Sequence, residues 1–266
     1  MSSKTYFDEQ SQEKLREIIE QFNSQGVEYM FLKGWEGLPQ FTTGNDIDMF
    51  IKAEDFDQAL SICDSHGLDR GITTHGRLKG IAELGFKAVT THRDQAKQLV
   101  GEQNPSEIMK KLLYPSYNIK KENPEYKAKA GLHYRELKLD ITNHLIYRQA
   151  MGENKQRVNP DVEQIFLENK MKINGFSVPN PPCELAHLIC RGVFDYNYKD
   201  EGTFPDYYID RCDELTEKIF KSEKYTVMLK TILNYLFFQA SDLVYELVEN
   251  GEYRQIRTEL KQFSDY

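Results

Sequence analysis

The stretch FLKGWEGLPQFTTGNDIDMFI, residues 31–51, contains two apolar segments separated by a glycine-containing turn, with two aspartates inside the second segment. On a β-strand, residues two apart point to the same face of the sheet. Asp46, Asp48 and Phe50 therefore share one face, and the apolar residues that alternate with them share the other, where helices can bury them. Two carboxylates side by side on an open face repel each other, so this pattern predicts a bound cation that offsets their charge.

A third carboxylate follows in HYRELKLDITNHLIYR, residues 133–148, where alternation predicts one continuous strand. Asp140 shares a face of that strand with Glu136, Lys138 and Thr142. On a strand next to the D-x-D strand, Asp140 would complete a site for Mg²⁺ or Mn²⁺, which bind hard oxygen ligands and substrate phosphates. In a two-metal site one ion activates the attacking hydroxyl and the other stabilises the leaving pyrophosphate. The motif alone also fits a pair of exposed carboxylates.

The turn before the aspartates has features that suit phosphate binding. Gly34 has no Cβ, so the backbone N–H groups of the Lys33-Gly34 turn can approach a phosphate closely. Trp35, the only tryptophan of the chain, is interpreted as a core anchor rather than as a stacking platform.

Hydrophobic periodicity predicts an α/β (α+β) fold, in which an N-terminal α/β part is followed by a C-terminal helical part. Residues 9–25 and 53–68 fit amphipathic helices, and residues 27–34 fit a strand that is apolar on both faces and therefore central in its sheet. After residue 180 the pattern is helical, including one long pattern over 225–249. The polar stretch after residue 150 predicts a boundary between an N-terminal domain, 1–150, and a mainly helical domain, 151–266.

The middle of the chain has a weaker pattern. Residues 69–90 fit strands and a mobile loop, and residues 101–130 fit a helix fragment followed by an exposed loop. Within the first of these segments, GITTHGRL (71–78) has the glycines of a phosphate-binding loop but lacks its Lys-Ser/Thr pair. His133 and His144, which flank the strand of Asp140, are interpreted as structural.

Composition excludes some classes of protein. A net charge of −8 disfavours nucleic-acid binding, which depends mostly on Lys and Arg. No apolar run approaches the roughly 20 residues that a membrane-spanning helix needs, and the polar N-terminus does not resemble a signal peptide, so a cytoplasmic location is expected. The four cysteines are widely spaced and are expected to be reduced thiols.

The order of these features resembles the polymerase-β-like nucleotidyltransferase superfamily, in which a glycine-rich turn precedes a D-x-D strand by about a dozen residues. Here Gly34 precedes Asp46 by 12 residues. FLKG and GNDIDMFI are similar to uncharacterised bacterial nucleotidyltransferases with an L-K-G turn and an S-D-I-D strand. KGW (33–35) and LDITNH (139–144) are similar to the lincosamide and aminoglycoside nucleotidyltransferases, as is ELAHLICRGVFDY (184–196).

The resemblance implies a nucleotidyltransferase-type mixed sheet flanked by helices, with a C-terminal helical domain. It also implies transfer of a nucleoside monophosphate from an NTP to a hydroxyl of a small molecule or sugar. Asp46, Asp48 and Asp140 would be the metal ligands and catalytic carboxylates, with Asp140 also a candidate base for the acceptor hydroxyl. The nucleotide would contact further positions that match the family's motifs or its later helix. These are Lys33, Gly34, Asn45 (where the family usually has Ser) and Arg191.

Three alternatives stay open at this stage. A D-x-D glycosyltransferase would use a nucleotide sugar, although only one strand precedes the motif here. A non-catalytic or toxin–antitoxin-type module would keep the scaffold without the reaction. The acceptor could also be a protein or the end of a tRNA, and the segment around Arg191 fits a solvated helix end as well as a ligand contact.

Overall fold

The computed structural model describes residues 4–69, 130–148, 155–195, 204–260 and 262. The predictions for 69–90 and 101–130 therefore fall, apart from Asp69 and Ala130, outside the described residues. The described strands, in chain order, are β1 (Lys4–Tyr6), β2 (Tyr29–Lys33), β3 (Phe41–Thr43), β4 (Ile47–Ile51), β5 (Ala130–Tyr134), β6 (Leu137–Thr142), β7 (Ile146–Arg148), β8 (Lys155–Arg157), β9 (Met171–Ile173) and β10 (Phe176–Val178). The described helices are α1 (Glu9–Ser24), α2 (Phe56–Ser65), α3 (Pro160–Glu168), α4 (Pro181–Cys190), α5 (Asp206–Phe220), α6 (Glu223–Phe237), α7 (Ser241–Glu249) and α8 (Ile256–Leu260).

A four-stranded mixed sheet has the order β2–β4–β6–β5. The pairs β2–β4 and β5–β6 are antiparallel, and β4–β6 is parallel. Together with the flanking helices, this sheet confirms the predicted α+β class.

Helix α1 forms as predicted because a capping residue, an apolar face and a glycine after its last turn all favour a helix over these residues. The Asp8 side chain accepts a hydrogen bond from the Ser11 N–H at 2.8 Å and so caps the first turn. The buried residues recur at helical spacing along one face: Ser11, Leu15, Ile18, Ile19 and Phe22. The chain leaves the helix through Gly26, whose φ of +74° suits a residue without a Cβ.

Strand β2 lies at the end of the described sheet order, so the prediction of a central strand is wrong. Its residues are buried on both faces because two separate cores cover them. Met30 and Leu32 belong to the core formed with α3–α8, whereas Tyr29 and Phe31 belong to the core formed with α1 and α2. The Phe31 ring also contacts Phe176 of β10, with centroids 5.5 Å apart. In the part of the chain that the structure describes, burial on both faces therefore reflects the layers above and below the strand.

Residues 133–148 do not form one continuous strand, and that prediction is wrong. Tyr134 of β5 pairs with Leu137 of β6, so the two residues between them make a tight hairpin turn. Arg135 has a φ of 51°, which such two-residue turns require, and it forms an ion pair with Asp8 at 2.6 Å. Glu136 consequently lies in the turn and not on the strand face of Asp140.

The C-terminal part is helical, as predicted, but the long pattern over 225–249 is two helices. Phe238, with a φ of 46°, separates α6 from α7, and a short 3₁₀ turn, Phe238–Ala240, connects them. The predicted domain boundary after residue 150 falls between β7 and β8, which pair with each other, and the division into two domains stays a prediction. None of the helices in the described ranges is both long and apolar enough to cross a membrane.

Candidate metal and phosphate site

The parallel pairing of β4 with β6 brings the three predicted carboxylates together. Asp48 is the direct register partner of Asp140, and Asp46 lies at the entry to β4. One carboxylate oxygen from each of the three residues lies within 4.8 Å of the others, and all three residues are partly buried. Three hard oxygen ligands at this separation fit Mg²⁺ or Mn²⁺. The metal-ligand role of each residue stays a prediction.

The carboxylates lie on the face of the sheet that the helical part covers. Phe50, which shares their face of β4, packs in the helical core together with Met30 and Leu32 of β2. The alternating residues of β4 pack in the opposite core against α1 and α2: Ile47, Met49 and Ile51. The aspartates and the residues that alternate with them therefore lie on opposite faces, as predicted, but the acidic face is also partly core because Phe50 is buried on it.

A β-bulge directs Lys33 towards the acidic cluster. Simple alternation along β2 would place Lys33 on the face of Phe31, away from the carboxylates. The register shifts between these two residues, however, so that Phe31 pairs with Met49 and Lys33 pairs with Asp48. The Lys33 Nζ lies 3.3 Å from the Asp48 Oδ2, and both side chains are mostly buried. A bulge of this kind commonly re-aims a side chain beside a functional site.

The turn after Lys33 is held in one conformation by Thr42 of β3. Gly34 has a φ of +75°, and a Cβ at this position would lie 2.4 Å from the Thr42 Oγ1. The buried Thr42 hydroxyl donates to the Gly34 carbonyl at 3.0 Å. Nothing in the sequence singled out Thr42, because its contact with Gly34 depends on how the loop folds back.

Gly34→Ala is expected to lower the free energy of unfolding by about 2 kcal/mol or more, because alanine adds left-handed strain and a clash with Thr42. Gly26→Ala is the matched control, since Gly26 has nearly the same φ of +74° but no atom within 4 Å of the place that a Cβ would take. Urea unfolding of both variants separates the two costs. Equal losses would show that Thr42 does not restrict the turn.

Asn45 and Arg191 are the other two residues for which a nucleotide contact was predicted. Asn45 is exposed, between Gly44 and Asp46. Arg191 begins a π-helical turn, Arg191–Asp195, that continues α4, and its Nη1 donates to the Asp195 Oδ2 at 3.0 Å. The three carboxylates and Lys33 thus come together, and Arg191 pairs with an acidic residue of its own turn.

A buried pair that sequence reasoning missed links α4 to this region. The Tyr147 hydroxyl and the His187 Nδ1 are 2.7 Å apart, and both residues are buried. Burial, and after it the positive charge of Arg191, lower the pKa of His187 to about 3; Lys33 adds to this shift and Asp48 opposes it. The imidazole is therefore neutral at pH 7, and the charges of two site residues, Asp48 and Lys33, act on it. The two partners are 40 residues apart, so no local pattern indicates the pair.

A second buried network supports the chain just after β6. The Glu163 carboxylate accepts from the Leu145 N–H at 2.8 Å and from the Arg157 Nη2 at 2.6 Å, and the His144 Nδ1 lies 3.4 Å away. Burial raises the pKa of Glu163, but the hydrogen bonds outweigh it and leave the pKa below its usual value. The structural interpretation of His144 agrees with this contact.

Comparison of the chain with protein-family models, curated proteins and solved structures finds no match. Interpretation of the site therefore depends on its geometry. The features that matter are the three clustered carboxylates, the lysine aimed at them by a bulge, and the fixed glycine turn next to them.

Proposed function

We propose that the chain is a Mg²⁺- or Mn²⁺-dependent nucleotidyltransferase, which moves a nucleoside monophosphate from an NTP to a hydroxyl of a small molecule or sugar and releases pyrophosphate. The observation that carries the proposal is the carboxylate cluster of Asp46, Asp48 and Asp140 on two adjacent strands, beside the Lys33-Gly34 turn. The resemblance in the order of turn, D-x-D strand and later carboxylate strand supports the same reaction. The net charge of −8 favours a small acceptor over a nucleic acid.

Asp46, Asp48 and Asp140 would hold the metal ions through carboxylate oxygens. Bound there, the metal would polarise the transferred phosphoryl group and stabilise charge on the leaving pyrophosphate. In the reaction, the acceptor oxygen forms a bond to the α-phosphorus while the bond from that phosphorus to pyrophosphate breaks. The acceptor hydroxyl loses its proton, for which an Asp140 carboxylate oxygen is the candidate base in this proposal.

The turn would position the triphosphate. The backbone of Gly34 can approach a phosphate oxygen because no Cβ stands in the way. Lys33 already pairs with Asp48, and a cation bound to that carboxylate would let its ammonium turn towards a phosphate oxygen. Positioning and charge stabilisation are the main contributions a protein makes to phosphoryl transfer.

Asp140→Asn is expected to raise the melting temperature in the presence of a chelator, because it removes one of three mutually repelling carboxylates. A gain of 1 kcal/mol corresponds to about 2–4 °C for a chain of this size. Mg²⁺ should raise the melting temperature of the wild type and raise that of the variant less. Differential scanning calorimetry measures both effects, with the exposed Asp210→Asn as the control. A variant less stable than the wild type in chelator, with the same response to Mg²⁺, would contradict a shared cation site.

The activity itself can be tested directly. The protein is incubated with each of the four NTPs and Mg²⁺ or Mn²⁺, alone and with a panel of sugars and antibiotics, while pyrophosphate and adduct mass are followed. Metal-dependent pyrophosphate release with an adduct that gains one nucleoside monophosphate supports the proposal. Binding of a UDP-sugar without NTP turnover would favour a glycosyltransferase, and binding of neither would favour a non-catalytic module.

A further inference from the structure

We propose that Arg211 of α5 is a positioning residue, which holds the Lys33-Gly34 turn in place through the ring of Trp35. The inference rests on the proposed function, because that turn is where we place the nucleotide phosphates. Arg211 does not itself contact the carboxylate cluster in this proposal. It acts on the turn through the residue that follows Gly34.

The guanidinium of Arg211 is held on one side by α4. Its Nε and Nη2 donate to the two carboxylate oxygens of Glu184 at 2.7 and 2.8 Å, and its Nη1 donates to Glu214 at 2.9 Å. Glu184 is buried, so this bidentate pair has a fixed geometry. Only arginine offers donors in a planar fork that matches both oxygens of a carboxylate.

On its other side the same guanidinium lies against the turn. Its central carbon is 5.5 Å from the centre of the Trp35 ring, and its Nε is 3.9 Å from the Glu36 Oε1. Trp35 is only 9% exposed and packs in the core with α1 and α2. A cation against an indole face is attracted by the ring, most strongly where both are partly removed from water.

These contacts connect the Lys33-Gly34 turn to strand β3 on one side and to helices α4 and α5 on the other. Thr42 fixes the Gly34 carbonyl from the side of β3, and Arg211 fixes the next residue from the side of the helices. Glu184 lies on α4, the helix that also carries His187 and leads into Arg191. A shift of Arg211 would therefore move the turn relative to helix α4.

Trp35 provides a direct probe, because it is the only tryptophan of the chain and its fluorescence reports on this turn alone. We compare wild type, Arg211→Lys and the control Arg254→Lys, which makes the same substitution in an exposed ion pair with Asp206. Acrylamide quenching of Trp35 is measured without nucleotide, and binding of each NTP with Mg²⁺ is measured by calorimetry. Melting temperatures establish that each variant is folded.

Arg211→Lys keeps the charge but loses the fork and the flat contact with the indole. It is expected to increase quenching of Trp35 and to weaken binding of the preferred NTP about tenfold, equal to about 1.4 kcal/mol. Arg254→Lys should change neither quantity. If Arg211→Lys destabilises the fold, the double variant Arg211→Met with Glu184→Met removes both charges of the buried pair and provides the second test.

The outcomes separate the two proposals. A wild type that binds none of the NTPs overturns the proposed function and with it the role of Arg211 towards phosphates, whatever the quenching shows. A wild type that binds an NTP, with an Arg211→Lys variant of unchanged affinity, overturns only the positioning role. Increased quenching of Trp35 with unchanged affinity for the NTP would likewise overturn the positioning role, because the contact would then stabilise the turn without affecting nucleotide binding.

Discussion

Asp48→Asn is expected to reduce the rate of pyrophosphate release at least about 100-fold, because it removes an anionic ligand from the centre of the cluster. In the proposed site, Asp48 would have two roles that an amide cannot fill. Its carboxylate lies within 4.8 Å of both other acidic groups, and its Oδ2 lies 3.3 Å from the Lys33 Nζ. The variant would weaken cation binding in the proposed site, and it also removes the carboxylate with which Lys33 pairs.

A continuous pyrophosphate assay at saturating NTP measures the effect, and a melting curve shows whether the variant is folded. Asp242→Asn is the matched control, since it makes the same chemical change at an exposed position in the first turn of α7. It should keep the wild-type rate. Full activity in both Asp46→Asn and Asp48→Asn would show that the reaction, if present, takes place elsewhere.

The acidic strand was predictable because its pattern is local. Alternation alone separates Asp46 and Asp48 from the apolar residues between them, because a shift of one residue would turn both aspartates into the core formed with α1 and α2. The same reasoning placed Asp140 on the face of β6 opposite to Leu139 and Ile141. The metal-ligand role assigned to these three aspartates remains a prediction.

What the sequence did not indicate depends on contacts between distant residues or on small irregularities of the backbone. The bulge that turns Lys33 towards Asp48 inserts one residue into β2, and no sequence pattern around it indicates the insertion. The pair of Tyr147 and His187 joins a short strand to a helix 40 residues later.

The wrong predictions for residues 133–148 and for β2 also have physical causes. In residues 133–148, the two adjacent polar residues Arg135 and Glu136 form the turn, but because alternation resumes directly after them, periodicity predicts that they are part of one strand. In β2, burial on both faces was taken to mean neighbours on both edges, whereas two cores on opposite faces produce the same apolar run.

Glu163→Ala is expected to lower the free energy of unfolding by about 3 kcal/mol at pH 7, because it leaves buried partners without their acceptor. The Leu145 N–H would lose a bond of 2.8 Å, and the partly buried Arg157 would lose both of its bonds to this carboxylate. Urea unfolding measures the change. Glu168→Ala on the same helix is the control, because Glu168 is exposed, and it should cost less than about 0.5 kcal/mol.

The pH dependence of this difference gives an independent check on its cause. The pKa of Glu163 is lower in the folded protein than its usual value of 4.5, so the unfolded chain takes up the proton first as the pH falls. The stability that Glu163 contributes is therefore present above pH 4.5 and is lost as the pH falls through the folded-state pKa. The gap between wild type and Glu163→Ala should narrow over that range. A gap that stays constant into acid would mean that the loss comes from packing and not from the charged hydrogen bonds that support the chain after β6.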